Sequence, residues 1–463
     1  MAEPLSSVDA AWLRMEEPTN LMMVTGLLIF DRPVELARLR RTLERRLLAF
    51  DRFRKRVIQP GLGIGSPQWQ DDPAFDLDAH LHRVALPAPG DERALQELVS
   101  DLMSTPLDYS KPLWQVHLIE GVGPGCAILS RLHHCIADGI ALVQVMLSLC
   151  DSSPNASTRR SHPASDGARG GPLTALLNVS ETVVRQGMET VANPARLAEL
   201  AAVGVSGAAS FGKLVLMPPD PKTLFKGRLG VSKRAAWSQP IPLASVKAAG
   251  RQAGGTVNDV LITAAAGALR RYLLGRQQPI DESLNIRAAI PVNLRPLSGP
   301  PRLGNQFGIV FLSLPLGIDN PKARLQELKR RMDQLKGSPD AVVAFGILNA
   351  IGAVPKQVQP ALVDFFGTKV TAVMTNVPGP REVLYLAGQP IRKVMFWVPQ
   401  SGRVGLGVSI LSYAGSVLVG VATDTGLVPD PEKIVQEFEA ELRRLGATPS
   451  AVRRGTAGRK RTA

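Results

Sequence analysis

Cysteine is scarce. The chain has three (Cys126, Cys135, Cys150) in 463 residues, and they show no paired or metal-like spacing. That argues against a disulfide scaffold or a zinc module and fits a reduced, cytoplasmic setting with free thiols. Aromatic residues make up only 5% of the chain, and no recognition motif accompanies them, so a nucleic-acid binder is not expected. An apolar leader is missing as well. Met1 to Glu17 is polar and acidic with no apolar h-region, so no secretory signal is expected. Long uncharged runs are equally rare. The run Val404 to Thr423 has the length of a membrane span. Gly405, Gly407, Gly415 and Gly420 interrupt it, however, and Tyr413-Ala-Gly-Ser sits at its middle. The β-rich stretches on either side of that turn predict a buried hairpin.

What is present is a globular composition, 45% hydrophobic and 20% charged. The length exceeds one ordinary core and predicts two domains. A Ser-, Pro-, Gly- and Arg-rich stretch at residues 151–172 is the clearest break and reads as a flexible loop. An amphipathic helix follows, marked by Leu173, Leu176, Leu177, Val184, Met188 and Val191. An apolar, small-residue connector then runs from Ala201 to Met217, a packed segment or a membrane contact. The divisions are therefore 1–150, 151–227, 228–448 and a basic tail at 449–463.

The net charge of +14 is uneven: residues 32–56 carry ten Lys/Arg against three acids, and the tail adds five bases without an acid. Leu36, Leu39, Leu43 and Leu47 fall on one helical face, leaving Arg38, Arg40, Arg41, Arg45 and Arg46 on the others. Such a helix is either a solvated surface element or an adhesive one. On an anionic membrane or lipid body each base near the surface contributes about 1 kcal/mol.

Strands are expected near Trp114 to Glu120 and Cys126 to Leu132, joined by a turn at residues 121–125, with a buried helix from Ile140 to Leu149. In the second half the pattern predicts helices near Val257 to Leu274, Pro321 to Leu335 and Pro431 to Leu445. Strands are expected near Leu284 to Leu294, Phe307 to Leu314 and Val370 to Thr375, besides the 404–423 hairpin. Strands and helices mix in both halves, an α/β or α+β chain.

Between the second strand and its helix lies His133-His134-Cys135-Ile136-Ala137-Asp138-Gly139, an HHxxxDG arrangement. Histidine is suited to take and return a proton near neutral pH, and rigid neighbours can hold it in place. His134 reads as the base that removes a proton from an acceptor hydroxyl, a service worth about 10²–10⁴-fold. Asp138 either caps the following helix or holds the loop by pairing with an arginine. Gly139 suits a tight turn where a side chain would collide. His133 faces the other way and reads as a supporting residue. Cys135 is a rival nucleophile. His80 and His82 share one face of the strand-like stretch Phe75 to His82, but without a third ligand a metal site is not expected there.

These features resemble the bacterial wax ester synthase/diacylglycerol acyltransferase family, within the CoA-dependent acyltransferase superfamily that shares HHxxxDG. The resemblance runs over nearly the whole chain. It starts with Leu5-Ser-Ser-Val-Asp-Ala-Ala-Trp12 and continues through Phe75-Asp-Leu-Asp78, Pro106-Leu-Asp108 and Pro112-Leu-Trp114. In the second half, Asn258-Asp259-Val260, Pro291-Val-Asn-Leu-Arg295, Gly304-Asn305 and Asn376-Val-Pro-Gly-Pro380 are similar to the family's other blocks. The DFGWG block of plant alcohol acyltransferases is not seen, and no carrier-protein or adenylation segment accompanies the motif.

The resemblance implies a two-lobed chloramphenicol-acetyltransferase-like fold, each lobe a mixed sheet flanked by helices. The N-terminal lobe would carry HHxxxDG and the C-terminal lobe would span 228–448, with a tunnel between them. It implies His134 as base within a catalytic motif of His133, His134, Asp138 and Gly139. Asn258, Asp259, Asn376, Pro112 and Trp114 are then substrate-binding positions. Two of these blocks also have purely local readings. Thr256 to Asp259 fits a helix capping box, and Asn376 to Pro380 fits a turn after a strand. Arg295 is a candidate partner for Asp138.

Long-chain acyl-CoA is the implied co-substrate, with no tightly bound cofactor or metal, and a fatty alcohol or diacylglycerol the acceptor. The enzyme would sit in the cytoplasm, peripheral to the inner membrane face or lipid bodies. The alternatives are acyl transfer to a small soluble acceptor and a non-catalytic lipid-body coat protein.

Overall fold

The computed structural model describes residues 2–59, 66–154, 216–294, 303–336, 340, 343–347, 359–400 and 402–447. The expected helix at 173–191, nearly all of the 201–217 connector, most of the 151–172 loop, the tail and Arg295 lie outside these residues.

The first half opens with β1 (Glu3–Pro4), α1 (Ser7–Arg14) and β2 (Met23–Phe30). Then come α2 (Leu36–Thr42), which runs into a π-helical turn at Leu43–Leu47, and the short strands β3 (Lys55–Ile58) and β4 (Gln68–Asp71). It closes with β5 (Leu81–Ala85), α3 (Glu92–Ser104), β6 (Trp114–Val122), β7 (Gly125–His133) and α4 (Gly139–Ser148). The second half starts with β8 (Lys233–Trp237), β9 (Ile241–Pro242), α5 (Leu243–Ala253), α6 (Val257–Gly275), β10 (Asn285–Asn293) and β11 (Phe307–Pro315). It continues with α7 (Pro321–Lys336), α8 (Gln359–Gly367), β12 (Ala372–Pro378), β13 (Tyr385–Leu386) and β14 (Gln389–Trp397). It ends with β15 (Leu406–Tyr413), β16 (Ser416–Asp424) and α9 (Pro431–Arg444). The helices and strands expected within the described residues are present, apart from the strand-like stretch Phe75 to His82. β12 is displaced toward the C-terminus because Val370 and Thr371 lie ahead of its ladder.

Two mixed sheets carry the fold, one of six strands in the order β13-β14-β2-β7-β6-β5 and one of seven in the order β11-β10-β12-β15-β16-β8, with β9 beside β16. β1, β4 and β3 make a small third sheet. The β15–β16 hairpin is the expected one, paired from Leu406↔Thr423 to Tyr413↔Ser416 inside the larger sheet. No described helix is long and apolar enough to cross a membrane.

A division of the chain at residue 228 does not sort the strands. β13 and β14 come from the second half, yet β14 pairs antiparallel with β2 in the N-terminal sheet. The two sheets then meet face to face. Leu27, Leu129, Met395 and Trp397 of one pack with Trp237, Leu418 and Ala422 of the other. At Gly420 a Cβ would stand 2.6 Å from Met395 Sδ and 2.9 Å from Trp397 Nε1, so only glycine lets the sheets approach this closely.

β7 is buried at all nine positions because α3 covers one of its faces and α2 and α4 the other. Leu39, Leu43 and Leu47 point into the core as expected, although the π turn interrupts the α-helix after Thr42. Half of the bases in 32–56 are engaged locally. Arg40 meets Glu44 and Asp78, Arg46 meets Asp151, Lys55 meets Glu3 and Asp51, Arg52 meets Asp9, and Arg38 donates to Pro154 O. Arg32, Arg41, Arg45 and Arg54 are exposed.

The stretch Phe75 to His82 is not one strand. Asp76 caps a 3₁₀ turn at Leu77–Ala79, which leaves His80 outside β5 while His82 lies within it. His80 stacks on Trp114 at 4.5 Å and faces Trp114 O at 2.8 Å through Nδ1. His82 lies against His117 at 4.9 Å.

Candidate active site

The HHxxxDG segment starts at the last residue of β7, where neighbouring strands fix its backbone. His133 N donates to Leu113 O (2.9 Å) and His134 N to Met22 O (2.8 Å). The chain then turns toward the other lobe. Ala137 bridges Gly304 in parallel, Gly304 N donates to Ile136 O (3.1 Å), and Asp138 N donates to Gly304 O (3.2 Å).

Asp138 ends this loop with both carboxylate oxygens in use. Oδ1 accepts Ala141 N at 2.9 Å, capping α4, and Oδ2 accepts Gln306 N at 2.9 Å, just ahead of β11. The Asp138 carboxylate therefore starts a helix in one lobe and holds a backbone amide of the other. A Cβ at Gly139 would meet nothing within 4 Å, which corrects the expected collision: this glycine is simply the first residue of α4.

The two histidines occupy different surroundings. His133 is fully buried, its Nδ1 accepts Cys135 N at 3.0 Å, and its Nε2 lies 3.1 Å from Glu16 Oε2. An Nδ1 that accepts an N–H carries no proton, so the ring proton sits on Nε2, facing Glu16. Glu16 also accepts Met22 N (2.9 Å) and Tyr109 Oη–H (2.7 Å). Burial alone would raise its pKa, but these contacts outweigh burial and hold the carboxyl below its ordinary value.

His134 is only 4% exposed, and its ring sits among aromatic neighbours. Trp12 of α1 stacks on it at 4.1 Å with 24° between the planes, and Phe307 of β11 approaches at 5.6 Å, tilted by 53°. Its Nδ1 is buried, with no hydrogen-bond partner among the described residues. Burial first, and the neighbouring His133 second, push its pKa down to about 3. The ring is therefore neutral at physiological pH and able to accept a proton.

Below the loop lies a polar knot. Asp9, buried on α1, accepts Asn305 N (3.1 Å) and Asn305 Nδ2 (2.8 Å) through Oδ1, and Arg52 Nη1 lies 3.1 Å from its Oδ2. Asn305 Nδ2 also donates to His134 O (2.8 Å), and Arg52 Nη1 to Ile136 O (2.7 Å). Sequence reading gave Asp9 and Trp12 no role beyond a family-like opening segment and placed Arg52 in a basic stripe. The available signal was the i, i+3 spacing of Asp9 and Trp12, which puts both on one face of a helix.

The remaining candidates fall elsewhere. Cys135 is fully buried, and burial pushes its thiol well up, so it is not an activated nucleophile. Trp114 is core: its indole N–H donates to Phe53 O (2.8 Å), its ring packs on His80, and Pro112 beside it is buried. Thr256 and Asp259 form the capping box of α6, while Asp259 Oδ1 is buried with no hydrogen-bond partner among the described residues. Asn258 Oδ1 accepts Asn376 Nδ2 at 2.7 Å, joining the start of α6 to β12. These C-terminal blocks meet each other, and no hydrogen bond among the described residues joins them to His134. Among the described residues, no group of three or more His, Cys, Asp or Glu side chains could hold a metal ion.

Known proteins resemble the chain along its length. Residues 5–261 match the wax ester synthase/diacylglycerol acyltransferase catalytic domain, and residues 303–446 match the C-terminal domain of the same family. A probable diacylglycerol O-acyltransferase of Mycobacterium tuberculosis is 30% identical over 462 residues, 96% of each chain. Among solved structures, the wax ester synthase/diacylglycerol acyltransferase from Marinobacter aquaeolei VT8 superposes with a TM-score of 0.69 at 23% identity, covering 96% of this chain and 98% of that one. The first condensation domain of the calcium-dependent antibiotic synthetase shares the two-lobed fold, with a TM-score of 0.60 at 16% identity and 97% coverage of both chains. A motif loop held between two lobes, and matches to both family domains, make this chain a member of the wax ester synthase/diacylglycerol acyltransferase family.

Proposed function

We propose that this acyltransferase moves a long-chain acyl group from acyl-CoA to the hydroxyl of a fatty alcohol or diacylglycerol, with His134 as general base. The observation that carries this reading is a neutral, buried imidazole at the end of a rigid strand, with no acid paired to its ring among the described residues. His134 accepts the hydroxyl proton as the oxygen attacks the thioester carbonyl. The tetrahedral oxyanion then collapses, the C–S bond breaks, and the imidazolium returns its proton to the CoA thiolate. A buried site strengthens each of these charge interactions. Asp138 positions the loop by tying it to Gln306, and His133 anchors it through Glu16. Acyl-CoA is a co-substrate rather than a resident cofactor.

Arg32, Arg41, Arg45 and Arg54 face outward from the N-terminal lobe. At about 1 kcal/mol each on an anionic surface, they give the enzyme a peripheral hold on the membrane or lipid body where its apolar substrates reside. The test uses purified protein with palmitoyl-CoA and either hexadecanol or dipalmitoylglycerol, following CoA release and lipid product, with His134→Ala in parallel. Acceptor-dependent product that vanishes in the variant is the expected result. Acceptor-independent CoA release would mean thioester hydrolysis, turnover only with a small polar acceptor would move the substrate class, and equal activity of His134→Ala would remove the base assignment.

A further inference from the structure

Proton transfer to His134 creates a positive charge where burial disfavours it. A serine-protease-type histidine meets that cost with an aspartate on its second nitrogen. Here, among the described residues, Nδ1 has no hydrogen-bond partner and no acidic side chain is paired with the ring. The neighbour laid flat on the ring is Trp12, 3% exposed, at 4.1 Å and 24°. An indole face carries the negative lobe of its quadrupole and attracts a cation held over it.

Trp12 is itself fixed in place. It lies on α1 between buried neighbours, and Asp9, one turn earlier, binds Asn305, whose amide also holds His134 O at 2.8 Å. α1 thus grips the loop twice, by ring on ring and by carboxylate on amide. The Trp12 Nε1–H is buried, with no hydrogen-bond partner among the described residues.

We propose that Trp12 is a positioning residue for the acyl transfer, holding the His134 ring and stabilising the imidazolium that forms as the acceptor hydroxyl gives up its proton. The inference rests on His134 being the base. The proton passes from hydroxyl to imidazole and then to the CoA thiolate, while the acceptor oxygen gains the acyl carbon and the sulfur loses it. Trp12 exchanges no electrons or atoms and lowers only the energy of the charged intermediate state.

The test compares hexadecanol with hexadecanethiol as acceptors, with palmitoyl-CoA as donor. A thiol ionises far more readily than an alcohol, so it attacks with little demand on the base. Trp12→Leu in the full chain is expected to cut kcat with hexadecanol by about 5- to 30-fold. Its kcat with hexadecanethiol should change by less than about twofold, KM for palmitoyl-CoA should hold, and Trp12→Phe should recover most of the alcohol activity. Equal losses with both acceptors, or a wild-type alcohol rate in Trp12→Leu, would overturn the proposal. If Trp12→Leu fails to fold, mono-, di- and trifluorotryptophan placed at position 12 alone keep the shape and drain the π face stepwise. A stepwise fall in log kcat for the alcohol supports the role, and a flat series overturns it. His134→Ala separates the two claims: retained alcohol turnover there would sink the base assignment, whereas its loss beside an unchanged Trp12 series would sink only the Trp12 role.

Discussion

His133 and His134 are neighbours at the end of one strand, and the two faces of β7 treat them oppositely. The face of His133 is a polar seam, buried at Arg131, His117 and His133. Arg131 donates to Gln115 Oε1 and to Thr105 O, His117 leans on His82, and Glu16 gathers His133, Tyr109 and the Met22 amide. The face of His134 is aromatic and aliphatic, with Trp12 and Phe307 around the ring and Leu132, Ile128 and Trp114 farther along the sheet. A histidine with an acceptor duty on one nitrogen and a carboxylate beside the other is locked in one tautomer and serves as a post. A histidine without a charged partner stays neutral in its apolar surroundings, with its ring left open to the reaction. The same side chain thus becomes structure or chemistry according to which side of the strand it leaves.

The largest expected effect separates those roles. His134→Ala should lower turnover by about 10²–10⁴-fold with little change in melting temperature. His133→Ala should do the reverse first, costing stability by stranding Glu16 and the Cys135 amide and losing activity only as the loop loosens. Paired calorimetry and product assays decide it, and two variants with the same profile would break the comparison.

Glu16→Ala is the next test. It removes the acceptor of the exposed Tyr109 hydroxyl and also that of the Met22 amide and the His133 partner, at about 1–3 kcal/mol for each buried donor left unsatisfied. A loss of about 2–4 kcal/mol by urea unfolding is expected, with Glu16→Gln milder because its amide oxygen still accepts. A neutral result would mean the polar face is decoration.

pH sharpens the contrast. His134 and His117 are both pushed down to about 3, chiefly by burial, so each stays neutral in the folded chain as pH falls through 6.5. The rate constant should therefore be flat between about pH 5.5 and 8, without the acid limb of an ordinary imidazole. Stability should not be flat. Folded pKa values below the unfolded ones mean that protonation favours unfolding, so stability is full above about pH 6.5 and erodes as pH falls from there toward 3. The lowered carboxyl of Glu16 adds a loss at the acid end, as pH drops through its folded value. His117→Leu should flatten the upper part of that erosion while leaving the rate profile alone.

The sequence made β6, β7, β10, β11, the 139–148 helix and the 404–423 hairpin legible because each carries its own period and its own turn, whereas β2, β14 and α3 were not expected. It also made the motif legible, since HHxxxDG is contiguous. What could not be read was what only folding assembles. β14 joins a sheet begun more than 350 residues earlier, and no local pattern in Gln389 to Trp397 names β2 as its partner. Asp9, Arg52 and Asn305 are far apart in the chain, and each has an ordinary local explanation, in a helix start, a basic run and a loop. Gly139 shows the converse error, where a conformational reason was assigned to a glycine whose site leaves room for a side chain.

Asp138 stands at the boundary between the two faces and carries the smallest predicted effect. Its Oδ1 caps α4, and an asparagine supplies the same oxygen, so Asp138→Asn should keep the helix. What Asn can lose is the second acceptor, because its amide nitrogen offers a donor where Gln306 N–H also donates. The cost is therefore expected at the junction of the lobes, about 1–2 kcal/mol, with turnover falling modestly as the His134 loop and β11 drift apart. Asp138→Ala would lose the cap as well, a further ~1 kcal/mol. Hydrogen exchange at Gln306 and Ala141 distinguishes the two: Asn should expose the first amide alone, Ala both. Protection lost equally at both amides in Asp138→Asn would mean that the carboxylate acts only as a cap, with no hold across the lobes.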